Sequence, residues 1–366
     1  GEVALSRKMS RCSSTHVFLT LAAFLLLATV ASASVPDWTV WVSNSGSDTT
    51  GDGSQANPFR TTDHAFLVKP DDVLVNLVSG TYAVTVPRGA TKVWIVGIPS
   101  ATLSSLTWDQ QGATPLEFVG SNLVITSPPG DSIPTLSLNG LISSLNLSQV
   151  SVLATTTSSA TPIVSLITPP TTSTFSFNQF TIANNGTGRP RVYFEGYGNL
   201  LTTAFTLSGE LGPIEFNNFD KITVSSSSWP MGSGTQGVYF QSIKRIGLTQ
   251  INQRNVQMRL LNVQRTAITA STFFGGKIEY GAMATEPCPT GVQFLEIDSS
   301  TLTNSQYTYT LNTQSMVCSP SLFIMNIHRN TIAGAFTVTS PQSLDFTANY
   351  WGSSSGPQIC TNPNGD

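Results

Sequence analysis

The chain has 366 residues, a formal net charge of −3 and only 10% charged residues, against about 25% in an average soluble protein. Ser, Thr, Asn, Gln and Gly fill the deficit, which excludes the pervasive basic surface of a nucleic-acid binder. Recurrent Phe, Ile, Val and Leu argue against disorder, and the length suits one large all-β unit such as a solenoid.

The first expected element is a secretory signal over residues 9–33. Met9 reads as the initiator, Arg11 supplies positive charge, Val17 to Val30 is largely apolar, and Ala31-Ser32-Ala33 fits a small-residue cleavage site. Gly1 to Lys8 then read as upstream translated sequence or as an expression remnant. A signal anchor is the competing reading, but the apolar stretch is short for a membrane span. Removing residues 1–33 takes Arg7, Lys8, Arg11 and Glu2 with it and moves the net charge from −3 to −5. No second long apolar run follows, so the mature chain is expected to be exported, without a membrane span.

Residues 34–70 are expected to cap the fold, with a short helix near Thr61 to Val68 and His64 packed on that cap. Asn44, Asp48 and Asp52 read as a Gly- and Asp-rich turn, since their spacing is not that of a helix-loop-helix calcium site. Asp71-Asp72 marks a turn before Val73. From residue 71 to residue 357 short apolar pieces alternate with Gly, Asn, Ser or Pro, as in Val73-Leu74-Val75 and Lys92-Val93-Trp94-Ile95-Val96. No long stretch shows a 3.6-residue period, so strands are expected. Ser151 to Thr174 is Ser/Thr/Pro-rich and reads as an exposed loop or a low-complexity insertion. Asn146-Leu147-Ser148 and Asn185-Gly186-Thr187 are N-glycosylation acceptor patterns.

The second half repeats. Phe216, Phe240, Leu260, Phe294 and Ile324 each have an apolar residue three positions later and another eight positions later. The starts lie 24, 20, 34 and 30 residues apart, which fits one solenoid coil with variable turns. A flat strand keeps its inward residues two apart, so a step of three implies a corner. Two positions after the starts come Asn218, Asn262 and Asn326, with Ser242 and Glu296 between, an expected turn ladder because Asn tolerates left-handed backbone.

The same alignment gathers cations. Lys221, Lys244, Arg245, Arg265 and Arg329 fall four or five positions after the starts, and stacked coils would set them about 4.8 Å apart. Such a ladder can bind an acidic polysaccharide through charge and paired hydrogen bonds; the alternative is a solvated, solubilising edge. Asp220 and Asp298 share the column but stand three repeats apart, too far for one hard cation. Cys288, Cys318 and Cys360 remain after the signal. Cys288–Cys318 and Cys318–Cys360 are alternative disulfides, and an odd count leaves a free thiol, an intermolecular bridge or a partner beyond the last residue. No Cys/His cluster supports a zinc site, and no cofactor is expected.

Two end segments carry a family resemblance. Trp41-Val42-Ser43-Asn44-Ser45-Gly46-Ser47-Asp48, continuing to Asn57-Pro58-Phe59-Arg60-Thr61, and Asn349-Tyr350-Trp351-Gly352 with Ser353 to Pro357 together resemble the pectin-lyase-like superfamily of secreted proteins. Ser79-Gly80-Thr81-Tyr82 is similar to that family's first coil. The resemblance implies an all-β, right-handed parallel β-helix with an N-terminal cap, and it makes residues 358–366 a loop in which the chain stops. It also implies polysaccharides or cell-surface glycans as partners. The sequence is therefore read as a secreted or surface-exposed glycan-binding or adhesive module contacting glycan through Lys221, Lys244, Arg245, Arg265 and Arg329. An extracellular polysaccharide lyase, with an Arg or Lys base and commonly calcium, or a glycosidase is the alternative, and a structural spacer the third reading. Clustered aspartates of the polygalacturonase kind are not apparent, and Arg189-Pro190-Arg191 lacks the spacing and partners of the family's proline-linked arginines, so no catalytic residue is assigned. Trp229, Tyr307, Tyr309, Tyr350 and Trp351 read as packing and capping aromatics before sugar platforms.

Overall fold

Alternation is the origin of the architecture. Successive strand residues point to opposite sides, and in Lys221–Ser225 the side chains of Ile222 and Val224 are buried while Lys221 is exposed. The strand Val192–Glu195 repeats the pattern with Val192 and Phe194 buried. Chains of such short segments bury one side only by winding round a common core, and this chain does so as an all-β parallel β-helix. The structure, a computed structural model, describes residues 35–110, 114–126, 136–156, 162–170, 172–230, 237–281, 293–303, 309–312, 323–333, 336–339, 343–345, 347 and 349–350. The signal at 9–33, Cys288, Cys318, Cys360, Tyr307, Trp351 and the loop 358–366 lie outside them.

Every strand pairing among the described residues is parallel, and the pairings fall into three faces. The first face starts at Trp38–Val42 on Val73–Val78 and ends at Ser343–Asp345. The second includes Thr206–Gly209 and Thr331–Ala333. The third includes Leu136–Gly140, Val164–Ile167, Val192–Glu195, Ile214–Asn217 and Val238–Gln241. Each coil visits the first, second and third faces in turn, and the single strand Lys92–Gln110 covers all three.

Corners are made by single residues in the left-handed region. Between the first and second faces these are Asn122, Gln149, Gln179, Ala204, Ser226, Gln250, Ala270, Ser299 and Arg329, with φ of 49–57°. Between the third and first faces Asn218, Ser242 and Asn262 adopt φ of 64°, 55° and 53°, as the asparagine column predicted. Asn326 corrects that prediction, because it lies within the strand Phe323–His328 on the first face. The five-fold alignment fails at its fourth member. Phe216, Phe240 and Leu260 are stacked on the third face, whereas Phe294 pairs with Arg265 and Ile324 on the first. Both corners follow an apolar strand with a left-handed residue, so equal offsets matched two different corners.

The cap is as expected. A helix spans Thr62–Val68, and the Thr61 hydroxyl accepts from the His64 amide at 3.1 Å, satisfying one of the free N–H groups of the first turn. His64 meets Phe59 edge-on, with ring centroids 4.8 Å apart. The opening segment is stitched to the one after it: Ser43 N–H donates to Phe59 O at 2.9 Å, and Ser47 N–H to Pro58 O at 3.0 Å. A Cβ on Gly80 would lie 2.7 Å from Asn44 Nδ2, so the opening segment also packs against the first coil. The reading of Ser151 to Thr174 as an exposed loop or a low-complexity insertion is corrected where the segment is described: residues 151–154 end the strand Ile142–Ala154, and Val164–Ile167 is a strand that pairs on both sides.

Inside, aromatic rings stack from coil to coil. Phe194 and Phe216 lie 4.9 Å apart at 11°, and Phe216 and Phe240 lie 5.1 Å apart at 12°. Trp229, one of the aromatics weighed as a sugar platform, is fully buried.

Candidate functional site

The first face brings three of the five expected cations together. Lys221 pairs in register with Arg245, and Arg245 with Arg265. All three open their strands at the same corner and are exposed. Alternation fixes their direction, because Ile222, Ile246 and Thr266 beside them point inward and are buried. None of the three makes an ion pair among the described residues; Arg265 lies over the Phe294 ring at 5.1 Å. The row is extended by Asn199, which pairs with Lys221.

The other two cations are spent elsewhere. Lys244 sits one position before the ladder and pairs with Asp220 at 2.5 Å. Arg329 is not in the ladder, which corrects the expectation from sequence. It occupies the left-handed corner at the far end of its strand, and both Nε and Nη2 donate to the Asp298 carboxylate. Those hydrogen bonds and the guanidinium charge hold Asp298 below the ordinary carboxylate range. His328 lies 3.6 Å from Asp298 and 3.9 Å from Glu296. Asp298 is thereby committed to Arg329 and His328, and among the described residues no group of three or more His, Cys, Asp or Glu side chains could hold a metal ion.

Asp48 and Asp52 do turn work. Asp48 accepts from the Arg60 and Thr61 amides and from the Thr61 hydroxyl, and Asp52 from the Ser54 amide. Asp71 likewise takes the Thr91 amide and hydroxyl and the Lys92 amide. Arg191 donates to both oxygens of Glu215 at 2.8 and 3.0 Å, and Arg189 lies 3.8 Å from Glu210. The acceptor Asn185 is exposed in the loop after Thr174–Asn184, whereas Asn146 is half-buried within a strand paired on both sides.

A second polar surface, missed by the sequence reading, lies on the third face. Asp109, Asn139, Ile167, Glu195 and Asn217 follow one another in register on five successive coils. The first four of these, Asp109, Asn139, Ile167 and Glu195, border a cleft of about 560 Å³ that also includes Gly140, Leu141, Thr168, Pro169, Pro170 and Tyr197. Glu195 is anchored from three directions: Tyr193 Oη donates at 2.9 Å, Asn218 Nδ2 at 3.0 Å and Tyr197 Oη at 3.4 Å. Burial, and then the hydrogen bond to Glu195, push the Tyr193 phenol up to about 12. A smaller depression of about 340 Å³, lined by Pro162, Ser165, Ile167, Arg191 and Tyr193, adjoins the cleft at Ile167. No local pattern announced this surface, since its residues are separated by 22 to 30 positions and are of four different types.

No helix among the described residues is long and apolar enough to cross a membrane. Compared with known proteins, the chain matches no family model, no curated protein and no solved structure, so its own geometry carries the functional argument.

Proposed function

We propose that this protein is a secreted or surface-exposed solenoid that binds an acidic polysaccharide along Lys221, Arg245 and Arg265. The observation that carries the reading is their register: three exposed cations on consecutive coils, about 4.8 Å apart, with no acidic partner among the described residues. Like charges set opposite one another destabilise a sheet, so the row works against the fold and needs another reason to exist. A polyanion lying across the coils supplies it, with one carboxylate or sulfate group per cation. The signal pattern at residues 9–33 supports export. The opening segment and Asn349-Tyr350, found at opposite ends of the parallel solenoid, support placement in the pectin-lyase-like superfamily.

The test is binding of polygalacturonate and of a sulfated glycan to the protein and to an Arg245→Gln/Arg265→Gln variant. The variant is expected to lose about tenfold or more in affinity while its thermal stability is unchanged or slightly higher. Wild-type binding should weaken steeply with salt, because exposed charges are screened. Unchanged affinity in the variant would overturn the reading. Absorbance of an unsaturated uronide, followed in the same samples with and without calcium, reports whether cleavage accompanies binding.

A further inference from the structure

The second face carries a row of hydroxyls that neither the cations nor the cleft uses. Just past the corner with the first face, one outward-facing position stays in unbroken register from Thr81 and Thr102 to Thr331, over eleven coils. Threonine fills seven of these positions, serine two, and Val124 and Asn252 the others. None is buried, whereas the residue after each, from Tyr82 and Leu103 to Ile332, is buried inside the solenoid. On the row just before the corner, Thr249 and Thr269 share a hydrogen bond at 3.0 Å, and Thr203 and Ser225 one at 3.3 Å. The hydroxyls of Thr102, Thr181, Thr206, Thr272, Thr301 and Thr331 have no such partner among the described residues. Along the paired segments of this face Arg254 is the only charged residue, and it lies over the Phe274 ring at 5.5 Å.

We propose that this threonine row is an ice-binding surface. Branching at Cβ restricts χ1 of threonine, so hydroxyl and methyl are already in place and little rotamer freedom is lost on contact. Strand spacing sets their repeat at about 4.8 Å and the length of the row at about 48 Å. A partner that uses the whole row must itself repeat at a similar interval, which the surface of a folded protein does not do. An ionic mineral or a polyanion requires charge, and the paired segments of this face have none from Thr81 to Trp229. Ice is uncharged and its lattice repeats at nearly the coil spacing. Its surface oxygens both donate and accept hydrogen bonds, as a threonine hydroxyl does. Each contact is weak, but the rigid stack of coils makes every contact after the first intramolecular. The inference is independent of the Lys221–Arg245–Arg265 row, which lies on another face.

The experiment is slow growth of an ice crystal in a dilute solution of the purified protein mixed with an inert globular protein as control. Enrichment of the protein in the ice over the control is expected, together with faceted crystals in its presence. Thr102→Lys and Thr206→Lys each place a long charged side chain in the row, at coils far enough apart that a folding defect in one leaves the other readable. Both are expected to bring enrichment down to the control level while the melting temperature stays close to wild type. The Lys221→Ala/Arg245→Ala/Arg265→Ala variant should enter the ice as wild type does. Exclusion of the wild type from ice overturns the inference, and so does enrichment that survives in the folded lysine variants. Sedimentation gives a further check: a dimer dissociated by both lysine variants would assign the face to a second copy of this chain instead. Capture of the wild type by insoluble cellulose, lost in both lysine variants and without enrichment in ice, would assign it to a crystalline polysaccharide.

Discussion

Asn330 shows how much one residue does at a corner of this solenoid. It follows the left-handed Arg329 and is 1% exposed. Its Oδ1 accepts the Ser300 amide at 2.8 Å, and its Nδ2 donates to the Ile297 and His328 carbonyls at 2.9 Å each. One coil earlier Ser300 Oγ accepts the Ser271 amide at 3.1 Å, and before that Ser271 Oγ accepts the Ile251 amide at 3.1 Å. One coil later Asn349 Oδ1 accepts the Asn330 amide at 2.9 Å. The asparagine of the Asn349-Tyr350 segment thus continues an internal column in which each side chain satisfies the backbone of the coil before it. Buried groups without partners cost about 1–3 kcal/mol each. Asn330→Ala is therefore expected to lose at least that much stability by urea denaturation, while Asn330→Ser, which keeps an acceptor for Ser300, loses less. Equal losses in the two variants would show that the Ser300 hydrogen bond contributes nothing.

At the scale of the element, each strand is too short to stand alone and takes its place from the coils beside it. The stacked rings of Phe194, Phe216 and Phe240 are the clearest case, since each is buried and each ring lies on the next coil's ring. Stacked aromatic pairs add about 0.5–1.5 kcal/mol beyond area burial, and truncating a buried Phe to Ala costs about 3–5 kcal/mol. Phe216→Ala removes the middle ring and both stacks. Its expected signature is a fall in stability of that size together with faster amide exchange in Val192–Glu195 and Val238–Gln241, the strands that flank it. Exchange accelerated only in Ile214–Asn217 would mean that the coils do not support one another through the rings. The same dependence gives the cation row its geometry: Lys221, Arg245 and Arg265 share an edge because their strands share a register.

Across the molecule, every shifted carboxylate among the described residues lies below its ordinary value. Burial raises Asp71 and Glu279, but hydrogen bonds from Thr91 and Lys92 to Asp71, and from Lys277 and Arg259 to Glu279, outweigh it and hold both below their ordinary values. Asp298 is lowered first by its hydrogen bond with Arg329. A carboxyl depressed in the folded state contributes stability that is fully present above its unfolded value, about 4, and is lost as pH falls through the folded value. Melting temperature is therefore expected to hold above about pH 5 and to fall progressively below about pH 4. Asp71→Asn should be less stable near neutrality and lose less on acidification. An Asp71→Asn curve parallel to wild type across that range would remove Asp71 from the account.

What the sequence determined by itself was what depends on local chemistry. Strand alternation, the capped helix at Thr62–Val68, the turn at Asp71-Asp72 and the left-handed corners at Asn218 and Asn262 follow from residue type and spacing, and they are found where expected. Lys221, Arg245 and Arg265 were legible because the repeat holds over their three coils. Beyond Leu260 the repeat misled, since two kinds of corner present the same apolar–polar offsets, and only strand pairing separates Phe294 from Phe216. Pairing likewise moved Arg329 out of the ladder and Asn326 out of the turns. The other corner column went unread because its positions are filled by Asn, Gln, Ala, Ser and Arg, of which only Asn favours the left-handed region by itself. The third-face cleft was decided by tertiary structure alone. Asp109, Asn139 and Glu195 carry no shared signal along the chain, and they become one surface only because parallel coils bring positions some 28 residues apart to a spacing of about 4.8 Å.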